Sequence, residues 1–542
     1  MTNVDLTERE RERVAPFVSN TSRPVFALTG LPEVVKGALF ARYSRSPKSL
    51  RRLLVDEFLP PDGEDGLRVA AEGPGAERAE ALYGRVLAEY GDDSVAQLGG
   101  VHLAVENASN ILTKVLERGR LMAYLEQSTR YIPYTEQLNG RWRYLVPAEL
   151  DGHPLRATYI ETLNATFAIY AKWIDPLRAW FERKYPRVAS DSDAIYRSAI
   201  RAKALDTLRG MLPASTQSNV GIYGTGQGYE ALLLRMRAHP LAEVRDCADA
   251  MLVELRQIIP AFLTRVDQPD RGGKWSQYLA DTRMRVLECA ARIDRDSGPA
   301  ASAEEVTLTD FDPDGELKVV AAALYAQSQR SDAELLDIVR RMTANERAAI
   351  LLAYVGERTN RRHKPGRAFE RTAYRFDILT DYGAFRDLQR HRLLTIDWQA
   401  LTTSHGYSEP DAIVDAGGGA DWREVMERSA SLYEGLVHAG MPLVAQYAVS
   451  MAYRFRFVMD MNAREAMHVI ELRTAPAGHP AYRRVCQRMH RLIADVAGHE
   501  AIAAAMRFTD HSAVELERLQ EERRLEQRRE AHAASRVDRS AT

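Results

Sequence analysis

The sequence predicts an α+β protein made of two tandem copies of a helix-rich module, each with a small antiparallel sheet. Three observations carry that expectation. Apolar residues recur at helical spacing over most of the chain. Short runs of alternating polarity, VHLAVE at 101–106 and YRFDI at 374–378, interrupt them as half-buried strands do. The order of landmarks in the first half then returns in the second, which is how an internal repeat shows itself.

Each element has its own justification. Residues 34–54 (VVKGALFARYSRSPKSLRRLL) match 319–339 (VVAAALYAQSQRSDAELLDIV). Val34, Val35, Ala38, Leu39, Ala41, Arg45, Ser46 and Leu50 return as Val319, Val320, Ala323, Leu324, Ala326, Arg330, Ser331 and Leu335. Their apolar spacing predicts an amphipathic helix in each copy. The alternating runs come next, and each leads into a short helix entered near Ser109 or Asp381, good N-caps because a side-chain oxygen accepts an orphan backbone N–H. Each short helix ends at an Arg-x-Arg tripeptide, Arg118-Gly119-Arg120 or Arg390-His391-Arg392. Each copy closes on an apolar helix ending in arginine, at 229–237 and 464–473. Residues 296–316, rich in Asp, Ser, Pro, Gly and Ala, read as a linker. The sequence therefore predicts modules over 1–295 and 317–512, then a charged helical or disordered tail over 513–542.

The bulk numbers narrow the function classes. The 542 residues have room for two to four domains, and 45% hydrophobic with 27% charged content is that of a soluble globular protein. With 73 basic and 75 acidic residues, bulk charge favours neither nucleic acid nor membrane. Most basic residues are arginine, whose planar fork suits local phosphate or carboxylate sites. Three scattered cysteines, Cys247, Cys289 and Cys486, make neither a disulfide framework nor a zinc site, and no metal is expected. A charged N-terminus without an apolar core, and the lack of a long apolar run, predict a cytoplasmic protein.

The chemistry-bearing stretches differ between copies. In the first, Arg118-x-Arg120 precedes Glu126, Gln127 and Ser128-x-Arg130-Tyr131. A hydroxyl and guanidiniums converging near a helix end make a phosphate cradle, with the carboxylate orienting the arginines or binding a sugar hydroxyl. Taken singly, each of these residues is an ordinary surface ion pair. The second copy keeps Arg390-His391-Arg392 and Asn462-Ala463-Arg464, and Asn462 with Glu465 reads as an Asn-x-x-Glu capping box. GTGQG at 224–228 lacks the spacing of a dinucleotide loop.

The stretch ERGRLMAYLEQSTRYIPY resembles the nucleotide-binding segment of the flavin-dependent thymidylate synthases, with WRYLVP at 142–147 fitting the strand that comes after it there. Leu208-Arg209-Gly210-Met211-Leu212-Pro213 is similar to a further nucleotide-contacting element of that family. The resemblance implies nucleotide contacts from Arg118, Arg120, Glu126, Gln127, Ser128, Arg130, Arg209, Arg237 and Arg473. It implies FAD contacts from Arg390, His391, Arg392, Asn462 and Arg464. The copies depart from the family in complementary places. Gly119 replaces the central histidine and Gly226-Gln227-Gly228 the Asn-x-Arg of the first copy; Ala400, Thr402 and Gln446 stand where the second should keep its Ser, Arg and Arg. The activity that this resemblance implies is FAD-dependent reductive methylation of dUMP to dTMP at a composite site. Methylenetetrahydrofolate and NADPH would be its co-substrates, with no covalent nucleophile. A homodimer of tandem chains would replace the family's homotetramer. Two alternatives remain: a non-catalytic nucleotide-binding regulator or scaffold, and a flavoenzyme for another pyrimidine nucleotide, since TTSHGYSEP at 402–410 is unlike the family.

Overall fold

The computed structural model describes residues 6–43, 46–59, 97–130, 132–137, 140–189, 191–296, 304–513, 519 and 523. Tyr131, Arg45, residues 297–303 of the expected linker and nearly all of the 513–542 tail lie outside them.

The fold is α+β, and its two copies share one plan. In the first, β1 (Gly100–Ser109), α1 (Asn110–Leu116) and β2 (Met122–Glu126) are followed by the long helices α2 (Leu155–Lys184) and α3 (Asp193–Leu208), then β3 (Gln217–Thr225) and α4 (Gly226–Arg237). The second opens on an added edge strand, β4 (Val306–Phe311), and repeats the order. It runs through β5 (Ala373–Asp381), α5 (Tyr382–Leu388), β6 (Thr395–Trp398), α6 (Gly419–His438), β7 (Arg454–Asn462), α7 (Ala463–Arg473) and α8 (Pro480–Asp495). The sheets are ordered β1-β3-β2 and β4-β5-β7-β6, so the strand before the late helix is central in both. β3 runs antiparallel to β2 with Glu126 opposite Val220, and β7 antiparallel to β5 with Asp381 opposite Arg454.

Period-two burial explains the second sheet. Tyr374, Phe376 and Ile378 of β5, and Phe455, Phe457, Met459 and Met461 of β7, are all buried on the core face. The caps repeat as well as the strands. Leu112 N–H donates to Ser109 Oγ at 3.0 Å and Ala384 N–H to Asp381 Oδ1 at 2.8 Å, as the sequence predicts. Thr225 caps α4 and Asn462 caps α7 in the same way.

Several expectations are corrected. Each repeat segment at 34–54 and 319–339 is a broken helix. Glu33–Tyr43 and Gly315–Tyr325 end early, and Ser49 and Ser331 cap fresh helices by accepting from Arg52 N–H and Glu334 N–H. WRYLVP forms no strand, only an isolated bridge from Tyr144 to Thr216, because Tyr144 and its neighbours pack aromatic rings against Phe167 and Tyr159 of α2. Residues 306–311 of the expected linker are β4, whose Val306 and Leu308 are buried.

The chain divides into two compact units that do not coincide with the repeats. One comprises Met1–Ala108, Val115–Gln127 and Ser218–Pro299; the other comprises Ser109–Lys114, Ser128–Gln217 and Ala300–Thr542. The first holds the three-stranded sheet, with Tyr229, Leu232 and Leu233 of α4 buried. The second unites the four-stranded sheet with α2 and α3 of the first copy. The reason is burial: α2 is apolar along one face (Leu163, Phe167, Tyr170, Leu177, Phe181), and it packs on α6 of the second copy. No described helix is long and apolar enough to cross a membrane.

Candidate functional site

In the larger unit, arginines from both copies gather around two carboxylates. Arg130 lies just after Ser128, whose Oγ accepts from Arg130 N–H at 3.3 Å. Its Nε donates to both oxygens of Asp206 at 2.7 Å, and its Nη2 lies 3.5 Å from the Ala477 carbonyl. Asp206 stands in the last turn of α3, one turn before Arg209. Arg209 is buried; its Nη1 lies 3.4 Å from Asp387 Oδ2 and 3.9 Å from Asp206 Oδ1. Its Nη2 has no hydrogen-bond partner among the described residues. Asp387 comes from α5, and Arg473, the last residue of α7, sets Nη1 3.9 Å from Asp387 Oδ1.

The electrostatics result from this crowding. Burial alone would raise Asp387, but Arg209, Arg473, Arg390 and Arg130 hold its carboxyl at about 2. Burial likewise opposes the charge on Arg130, and the carboxylates of Asp206 and Asp387 help reverse that effect and raise it. Three guanidiniums, those of Arg130, Arg209 and Arg473, thus lie within 4 Å of the carboxylates of Asp206 and Asp387.

His391 joins this cluster to a second one. Arg473 Nε donates to His391 Nε2 at 2.9 Å, so neutral His391 carries its proton on Nδ1, 3.6 Å from Glu465 Oε1. Burial, with Arg473 alongside, pushes His391 down to about 4, so the ring is neutral near pH 7. Glu465 is also 3.3 Å from His468 Nδ1, and against its burial these imidazoles keep it ionised below the usual carboxylate range. This corrects the capping box. Asn462 Oδ1 accepts from Glu465 N–H at 2.9 Å, but the Glu465 carboxylate is turned to the histidines and does not return to the cap.

The remaining expected residues are distributed unevenly. Arg390 and Arg392 are exposed on either side of buried His391. Arg464 donates from Nε to the Pro365 carbonyl at 3.0 Å and lies 3.4 Å from Glu370. Arg118, Arg120, Glu126, Gln127 and Arg237 belong to the other compact unit. There Arg118 and Arg120 are exposed in a turn, Glu126 is buried at the end of β2, and Gln127 N–H donates to the Asn219 carbonyl at 2.8 Å. Arg237 pairs with Asp249. Counting from the caps Thr225 and Asn462, Gln227 stands at the place of Arg464 and buried Met236 at that of Arg473. Gln446 accepts from Leu401 N–H at 3.0 Å and so pins a loop.

Beside Arg209 opens a cavity of about 620 Å³ lined by Lys203, His479, Arg484, Trp422 and Tyr407 among others. Tyr407, Ser408, Glu409 and Pro410 of the unusual 402–410 segment form part of its wall. His479 Nδ1 accepts from Ala481 N–H at 3.2 Å; burial and nearby Arg209, Arg130, Lys203 and Arg484 hold this histidine neutral, well below its usual range.

Sequence reasoning missed Asp206, Asp387, His468 and His479. The acids had a usable signal: each precedes an arginine of interest by three residues, the spacing at which helical neighbours meet.

Comparison with known proteins identifies the family. A family model, thymidylate synthase complementing protein, matches residues 44–261 and again 307–499. The chain belongs to that family, with the module present twice. It is 39% identical over 524 residues to a UPF0159 protein of Chlamydia muridarum, covering 96% of this chain and 98% of that one. A UPF0159 protein of Thermoplasma acidophilum is 30% identical over 514 residues, covering 90% and 97%. The flavin-dependent thymidylate synthase of Clostridium tetani matches over 178 residues at 26% identity, 32% of this chain and 66% of that one. Among solved structures, a UMP/dUMP methylase from Streptomyces cacaoi bound with 5-Br dUMP is 19% identical with a TM-score of 0.30, covering 39% of this chain and 99% of that chain.

Proposed function

We propose that the larger unit binds a pyrimidine nucleoside monophosphate, dUMP first among them, and methylates its base with the help of a bound flavin. The observation that carries this reading is the convergence of Arg130 and Arg209 from one copy with Arg473 from the other around Asp206 and Asp387. Arg209 Nη2, buried and without a partner among the described residues, is a donor open to an anion. In this reading Arg130 and Arg209 hold the phosphate, while Arg473 stabilises negative charge developing on the pyrimidine carbonyl. Asp387 and Asp206 fix the guanidiniums before the ligand arrives, so little reorganisation accompanies binding.

The residues present fit a flavin dinucleotide. Arg390, Arg392 and Arg464 supply positive charge for its diphosphate, and neutral His391, held between Arg473 and Glu465, keeps that side of the site free of a further charge. Bound flavin would provide the electrons for reductive methylation, with methylenetetrahydrofolate donating the carbon and NADPH restoring the reduced state. The chain's own part is to hold and orient both ligands and to keep His391 uncharged at neutral pH.

The test is the visible absorbance of the purified protein, then a dUMP titration. A flavin band that shifts with dUMP supports the proposal. A colourless protein that binds dUMP but refuses FAD would replace it with a non-catalytic nucleotide binder.

A further inference from the structure

Arg473, which the second copy brings to the arginine cluster, is held from behind. Among the described residues its side chain makes one short polar contact, from Nε to His391 Nε2 at 2.9 Å; Asp387 Oδ1 stands 3.9 Å away. A guanidinium donates and never accepts, so this contact exists only while Nε2 keeps its lone pair. Neutral imidazole has a second tautomer in which Nε2 carries the proton and would face Arg473 donor to donor. Glu465 selects against it. Its Oε1 lies 3.6 Å from His391 Nδ1, and a carboxylate there favours a proton on Nδ1 over a lone pair. Glu465 is buried and itself fixed: Asn462 Oδ1 accepts its N–H at 2.9 Å, and its Oε2 lies 3.3 Å from His468 Nδ1. The carboxylate forms no ion pair with lysine or arginine among the described residues. One helix carries both ends of this line of contacts. Glu465 is in the first turn of α7 and Arg473 closes the last, about 12 Å along the axis. His391, arriving from beyond α5, spans the gap between them.

We propose that Glu465 is a positioning residue: by fixing the tautomer of His391 it aims the Arg473 guanidinium at the nucleotide. This rests on the reading that Arg473 meets a nucleotide in the larger unit. Glu465 itself touches no ligand in this account. Its effect passes through one proton, whose place on the imidazole decides whether Arg473 finds an acceptor or a competing donor.

The experiment has two readouts on the full chain. Nitrogen NMR of histidine-labelled protein reads the tautomer, with His391 assigned by the signal that His391→Gln removes. The wild-type ring should carry its proton on Nδ1, and Glu465→Ala should shift it toward Nε2. A wild-type proton on Nε2, or a tautomer that Glu465→Ala leaves unchanged, would overturn the proposal. Calorimetric titration with dUMP reads the consequence. Glu465→Ala should bind ~10-fold more weakly. Glu465→Gln, whose amide oxygen still accepts from Nδ1–H, should recover most of that loss. In an Arg473→Gln background Glu465→Ala should cost less than ~2-fold, because the arginine it aims is gone. Full additivity would reduce Glu465 to a structural carboxylate. Melting temperatures check that each variant is folded. A wild type that binds no dUMP overturns the proposed function, while the tautomer readout stands or falls on its own.

Discussion

The helices α4 and α7 end the same repeat and have opposite fates. Both come directly after the central strand of their sheet, both are capped by a side-chain oxygen, and both finish in arginine. Arg237 spends its charge on surface Asp249, whereas Arg473 reaches half-buried Asp387 and buried His391. Counted from the caps, the true counterpart of Arg473 is Met236, fully buried in apolar surroundings. A repeat can therefore keep its fold while one copy gives up its chemistry, because caps and apolar faces are set by local rules and an arginine cluster needs several elements at once.

The sharpest way to break this contrast is Asp387→Asn. Removing the carboxylate leaves Arg473 without an acid and Arg209 with Asp206 alone, so urea denaturation should show a loss of about 3–5 kcal/mol. Retention of wild-type stability would mean the cluster is not held by charge. Next comes the paired test of Arg473→Gln against Arg237→Gln. Titration with dUMP should show the first weakened by about 2–5 kcal/mol. The second should stay within roughly 0.5 kcal/mol, as for an ordinary surface pair. Equal losses would erase the distinction between the copies.

His391 sharpens the contrast through pH. Its folded value of about 4 lies below the ordinary 6.5, so the unfolded chain takes up a proton first as pH falls. The stability from neutral His391 is complete above pH 6.5 and is lost as pH drops toward 4. The decline is on the order of 3 kcal/mol at most. His391→Gln should flatten this part of a melting-temperature profile; an unchanged slope would assign the loss elsewhere. The smallest effect is expected at the caps. Thr225→Ala and Asn462→Ala should each cost about 1 kcal/mol, and Asn462→Ser should recover most of its loss.

Much of the fold was legible in the sequence because it rests on local signals. Ser109, Asp381 and Asn462 cap where their side chains suit capping, and the alternating run at 374–378 is the core of β5. The helix breaks at Ser49 and Ser331 were hidden because the apolar spacing runs across them. The exchange of α2 and α3 into the unit of the second copy is a tertiary choice with no local mark. At the site, Arg130, Arg209, His391 and Arg473 were all legible through their motifs. Asp206 and Asp387 were not, because an acid three residues from an arginine is common on any solvated helix.

The central claim is that one nucleotide site draws on both copies. A crystal structure of the full chain with dUMP tests it most directly. The account expects the phosphate within hydrogen-bonding distance of Arg130 and Arg209, with Arg473 against the same nucleotide. A nucleotide bound elsewhere, or touched by arginines of only one copy, would contradict it.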